Sequence, residues 1–254
     1  MSEPQAWSQL DVDLGLDFAT DEGRVPLAER IFACFQGIEL AAHPFFVALA
    51  GGPGIDLESV YLLLANLQRG TSGVLVSYLA RAIQRADDRR LASLLACRLN
   101  AELGSGDFTQ IESVLLDRLV AALSPWCDRA GDHTLLQAGK RLVREGARPF
   151  YAPHPHEALG ALIVREIFVE KMAICLASEM RRQMLVTGES MRWLHLRESM
   201  AASQAEDARA LAVLLPPAGY GLAAAWRGAL DHWDDLWQLL DDVHELRENL
   251  RAQL

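Results

Sequence analysis

The glutamate at position 102 constrains the fold of this chain more than any other residue. It closes the run that leads into Asn100-Ala101-Glu102-Leu103-Gly104-Ser105-Gly106-Asp107, where two glycines allow a tight break and Asp107 can cap the next helix. Leu95 and Leu99 lie seven and three positions before it, spacings that put Glu102 on the apolar side of its helix. A carboxylate aimed into a core needs a hydrogen-bond donor, a cation or a metal. Whatever the chain folds into must bring such a partner to position 102.

The rest of the sequence predicts helices around it. Residues 25–42 carry leucine, isoleucine and phenylalanine at three- and four-residue steps, with Pro26 in the first turn. A short apolar turn at 45–50 follows His43-Pro44, and helices are predicted at 56–68, 72–86, 88–103, 107–123 and 132–147. Residues 148–156 read as a proline-rich loop. Beyond it lie one long helix at 156–186, roughly 45 Å at the usual rise, another at 190–215 stopped by Pro216-Pro217, and a last one at 222–250. No stretch alternates as a strand does, and no repeat is present. The expectation is an all-α chain: an irregular arm at 1–22 and a single domain of seven to nine helices at 23–254.

Composition narrows the function classes. About half of the chain is apolar (51%), yet no run reaches the roughly 18 apolar residues of a membrane span. Residues 1–13 are acidic and polar, unlike a secretion signal, so a cytoplasmic protein is expected. Cys34, Cys97, Cys127 and Cys175 are widely spaced and read as small core residues in a reducing compartment. A formal charge of −10 argues against nucleic acid as a partner, and leaves a small molecule or another protein. There is no phosphate loop, dinucleotide fingerprint or serine nucleophile elbow.

Other residues compete for a functional role. Glu166, with Leu159, Leu162, Ile163 and Ala173 at helical spacing, is a second inward carboxylate. A buried ion pair with an arginine weighs evenly with metal ligation there. Glu170, one turn on, reads as reaching solvent. His195, among Trp193, Leu194 and Leu196, is more simply a satisfied core histidine than a ligand. His43-Pro44-Phe45-Phe46 reads as a helix stop and an apolar plug, and His154-Pro155-His156 as a turn and a helix start. The acidic run of Asp231, Asp234, Asp235, Asp241 and Asp242 reads as a solvated face. On the other side, Trp226, Trp233 and Trp237 need covering by the chain's own bundle, with a homodimer as an addition.

Taken in order, Ala42-His43-Pro44-Phe45-Phe46, the run from Asn100 to Gly106, Gly160-Ala161-Leu162 before Glu166, and then His195 resemble the haem-oxygenase-like di-iron oxidase family. More distantly they resemble its thiaminase-II and pyrroloquinoline-quinone-synthase relatives. The resemblance covers roughly residues 25–215. It implies a seven-helix up-and-down bundle with an extra C-terminal helix here, often homodimeric. It also implies non-haem iron that activates oxygen for an oxidoreductase acting on a small amino-acid-like or fatty substrate. Carried over residue by residue, the metal positions are Glu102, Glu112, Glu166 and His195. The chain departs from the pattern at Ala101, at Glu112 where a histidine is usual, and at Ser199 and Ala202 in the closing His-x-x-x-Asp-x-x-His motif. Glu206 lies about 16 Å along the helix from His195, too far to share an ion. Three readings follow: an enzyme with a reduced or mononuclear iron site, a metal-free enzyme, and a non-catalytic binding or partner protein. Three converging acids without a cation would also raise the pKa of at least one of them.

Overall fold

The structure is a computed structural model and describes residues 33–51, 56–86, 88–127, 136–182, 188–199 and 220–251. Every element among the described residues is helical. After a helical stretch at 33–37, the helices in chain order are α1 (Pro44–Gly51), α2 (Leu57–Leu67), α3 (Leu75–Arg85), α4 (Arg89–Glu102), α5 (Glu112–Leu123), α6 (Gln137–Glu145), the single turn α7 (Arg148–Tyr151), α8 (Pro155–Arg182), α9 (192–199) and α10 (Tyr220–Arg251). A π-helical turn, Gln68–Ser72, follows α2 directly. The arm at 1–22, the start of the helix predicted at 25–42, and residues 200–219 with Ala202 and Glu206 lie outside the described residues. No described helix is long and apolar enough to cross a membrane.

Local chemistry explains where the predicted boundaries shift. Asp107 is a cap as expected, but it caps a single 3-10 turn, Phe108–Gln110, by accepting from the Thr109 amide at 2.9 Å. Ile111 then leaves helical space (φ −58°, ψ 119°), so α5 starts at Glu112 and not at 107. Gly104, Ser105 and Gly106 all take positive φ, which reverses the chain sharply and explains the glycines on either side of the serine. Within the predicted proline-rich loop, Pro149 opens the extra turn α7. His154-Pro155-His156 is the start of α8, as expected.

The spine is the pair α8 and α10. Gly160 and Gly228 let their backbones touch: a Cβ at 160 would fall 1.8 Å from the Ala225 carbonyl oxygen, and one at 228 would fall 2.1 Å from that of Glu157. Beside this seam Trp233 packs against Phe35 and Phe168, with ring centroids 5.1 and 5.3 Å away. Trp226 meets Phe35 at 5.5 Å. The tryptophan stripe is therefore covered by the chain itself. At about 25 cal/mol per Å², burying an indole of roughly 200 Å² contributes on the order of 5 kcal/mol before ordering entropy is set against it.

The acidic side of α10 corrects the expectation of a solvated face. Asp231 alone of the five aspartates is exposed. Asp234 and Asp235 hold Arg141 at 2.7 and 2.6 Å, and Asp242 accepts from the Ala138 amide at 2.6 Å in the first turn of α6. Asp241 faces His43. The reason is that α10 packs against α6 and α1 on this side too, and the other four acids each meet a donor there. His43 is more than a helix stop. Its Nδ1 accepts from the Phe45 amide at 3.1 Å, so Nε2 carries the proton and donates to Asp241, also at 3.1 Å. None of the four cysteines forms a disulfide among the described residues, and Cys97 is exposed and is not a core residue.

Candidate functional site

Three of the four sequence-predicted site residues come together. Glu102 ends α4, Glu112 begins α5 and Glu166 lies in the middle of α8, and all three are buried. The break at 103–111 is what allows this, because it turns the chain between two inward acids only ten residues apart. Each acid meets arginine. Arg98, one turn before Glu102 on α4, contacts Glu102 directly, Glu166 at 2.7 Å and Glu112 at 3.7 Å through the same Nη2. Arg197 on α9 contacts Glu112 directly and Glu166 at 3.0 Å, and reaches 4.0 Å from Glu102. Arg165 pairs with its neighbour Glu166 and donates to Ser72 Oγ at 3.3 Å in the π-helical turn.

Among the described residues the result is a set of three carboxylates and three guanidiniums. Arg165 is 1% exposed and Arg197 is 0% exposed, so water screens little of it. Burial pushes Glu102 up, but Arg98, Arg165 and Arg197 outweigh it and hold the carboxyl below its usual value. That is opposite to the raised carboxyl expected for an uncompensated acid cluster. Burial, with Arg98 beside it, pulls Arg197 down to about 9 against the pull of Glu102, which leaves the guanidinium charged at neutral pH. Taking ions out of water costs several kcal/mol each, so the set is not a large net stabiliser, but breaking it is costly. Among the described residues Arg165 Nε and Arg197 Nε have no hydrogen-bond partner.

His195 is not part of this set; it is exposed. Two residues apart on a helix means about 200° around it, so the turn that buries Arg197 against the acids carries His195 outward. Ser199 is exposed as well, and its hydroxyl donates to the Leu196 carbonyl at 2.9 Å. Glu198, three residues beyond His195, pairs with Arg181. Glu170 is half-buried instead of reaching solvent; burial pushes its carboxyl up, opposed by Lys171 and aided by Glu166. The sequence reading allowed an arginine partner for Glu166 but did not identify Arg98 and Arg197 as the counterions, although a signal was present. Arg98 continues the Leu91, Leu95 face by one turn to Glu102, and Arg197 stands at four and three residues from buried Trp193 and Leu194.

As arranged, this donor set fits guanidinium and does not fit iron. Each acid already contacts a cation, and an added metal would sit against three positive groups. Among the described residues no cluster of three or more histidine, cysteine or acidic side chains is disposed to hold a metal ion.

Two features lie away from the core set. His232 of α10 is 1% exposed and packs edge-on against Phe150, and neither ring nitrogen has a hydrogen-bond partner among the described residues. Burial, with the positive charge of Arg165 adding to it, pulls this imidazole down to about 3, so it is neutral at ordinary pH. The second feature is a cleft of about 360 Å³ between α6, α7 and α10. No protein-family model matches the chain, and no curated protein matches it.

Proposed function

We propose that this chain is a metal-independent binding protein of haem-oxygenase-like helical type, with arginine–glutamate pairs standing where the resemblance puts iron ligands. One observation carries the reading: the guanidiniums of Arg98 and Arg197 sit among Glu102, Glu112 and Glu166 and neutralise them. The acids thus have a role that needs no metal, and their pairing with arginine accounts for their place in an apolar core. The groups are packed against one another, which suits a fixed internal brace better than a reacting centre.

The convergence of three acids at positions of the resemblance favours a second reading, an oxygen-activating iron oxidoreductase acting on an amino-acid-like or fatty substrate. It requires Arg98 and Arg197 to leave the cluster when metal enters. An anaerobic titration with ferrous iron, followed by metal analysis and by the melting temperature, separates the two. The binding-protein reading predicts no retained iron and an unmoved melting temperature. It also predicts that Glu102→Gln with Glu166→Gln lowers the melting temperature, because three guanidiniums then face one carboxylate. The iron reading predicts a rise with metal, its loss in the double variant, and a metal-free double variant as stable as the parent.

A further inference from the structure

The cleft between α6, α7 and α10 has walls of opposite charge. On one side α10 presents Asp231 and Asp235, one turn apart and on one helix face. Opposite them stand Arg144 from the end of α6 and Arg148 from the start of α7, with Glu145 beside Arg144 and with Arg141 reaching across the cleft to Asp235. Three contacts tie α6 to α10 beside the cleft: Arg141 binds Asp234 and Asp235, and Asp242 accepts from the Ala138 amide. Arg141 is therefore committed to the fold. Arg144 is not: it is exposed and makes no hydrogen bond or ion pair among the described residues. Arg148 is exposed and acts on Asp231 through its charge alone.

Asp235, which lines the cleft, is 4% exposed. Burial pushes its carboxyl up to about 6, with Arg141 opposing and Asp234 and Asp231 adding to the rise. A carboxylate held in that state gains from a further cation brought beside it, whereas Arg144 gains from an anion. Pro149 provides the apolar lining between the two walls. A volume of about 360 Å³ is at the small end for ligand sites, which run from roughly 300 to 1,000 Å³.

We propose that this cleft binds a small zwitterion, with its ammonium group on Asp231 and Asp235 and its carboxylate on Arg144 and Arg148. Neither a simple anion nor a simple cation satisfies both walls, and each would meet one wall of its own sign. The site lies apart from the core set of arginines and glutamates, and the proposal does not rest on how that set is read.

Calorimetric titration of the full chain tests it, using linear ω-amino acids from glycine to 6-aminohexanoate, with hexanoate and hexylamine as single-charge probes. At least one amino acid of the series should bind at millimolar concentration or below, and about tenfold more tightly than either single-charge probe, since losing one charge-assisted contact costs about that factor. Arg144→Gln with Arg148→Gln should weaken that binding by about tenfold or more without moving the melting temperature, because both side chains are exposed. Asp231→Asn, on the other wall, should weaken it as well. The proposal is overturned if no amino acid of the series binds, if hexanoate or hexylamine binds as well, or if the arginine variant binds unchanged.

Discussion

The two sides of α8 are held in different ways. Toward α10 it is held by shape: glycines at 160 and 228 bring backbones into contact, and Trp233 and Phe168 fill the space beside them. Toward α4, α5 and α9 it is held by charge, through Arg165 and Glu166 and the four ions around them. The dry side gains from burial and tolerates little change in volume. The ionic side gains little overall, yet it fixes which residues face which, because any slip leaves a charge without its counterion. One helix thus takes its stability from one face and its register from the other.

The largest effect should come from breaking the ionic side. Arg197→Met keeps the volume and removes the charge, leaving Glu112 and Glu166 short of a partner; a loss of about 3–5 kcal/mol is expected in denaturant unfolding. A loss below about 1 kcal/mol would place the set among weak surface-like pairs.

A second effect is pH-dependent and isolates His232. Its folded pKa of about 3 lies below the usual 6.5, so the unfolded chain binds a proton more readily than the folded one across that window. The stability is present above pH 6.5 and drains as pH falls, by on the order of 3 kcal/mol at pH 4. Asp235, raised to about 6, works in the opposite direction over part of that range, so the parent must be compared with a variant. His232→Leu should be at least as stable as the parent at pH 7 and should lose less on acidification. Identical acid profiles would show that His232 is not neutral and dry.

The smallest effect falls on the dry side. Gly160→Ala forces α8 and α10 apart, because its Cβ would stand 1.8 Å from the Ala225 carbonyl oxygen. A cost of about 1–3 kcal/mol is expected from overpacking, unchanged by salt or by pH between 5 and 8. A salt-dependent loss would mean that the seam is coupled to the ions on the other face.

These contrasts also show what the sequence could convey. Periodicity located the helices, since leucine and tryptophan spacing follows directly from 3.6 residues per turn. The same rule put Glu102 and Glu166 inside and required a partner for them. It did not say which partner, because arginine and metal meet the same electrostatic demand and differ only in geometry. Phase also distinguishes Arg197 from His195, but a motif-based reading favoured the histidine. The acidic face of α10 was misread for a related reason: charge on one helix shows nothing of the donors, Arg141, the Ala138 amide and His43, that distant parts of the chain bring to it. The start of α5 at Glu112 depended on the backbone at Ile111, which residue type alone does not signal.

The central claim is that arginine is the counterion of the buried acids, and a double-mutant cycle on Arg197 and Glu112 tests it most directly. These two side chains are in contact and nearly fully buried, at 0% and 7% exposure. Unfolding would be measured for Arg197→Met, Glu112→Leu and the pair together. Both single variants should be strongly destabilised and the pair should recover much of the loss, giving a coupling of roughly 2 kcal/mol or more. Single losses that simply add, within about 0.5 kcal/mol, would contradict the account and show that Glu112 draws its counter-charge from something other than Arg197.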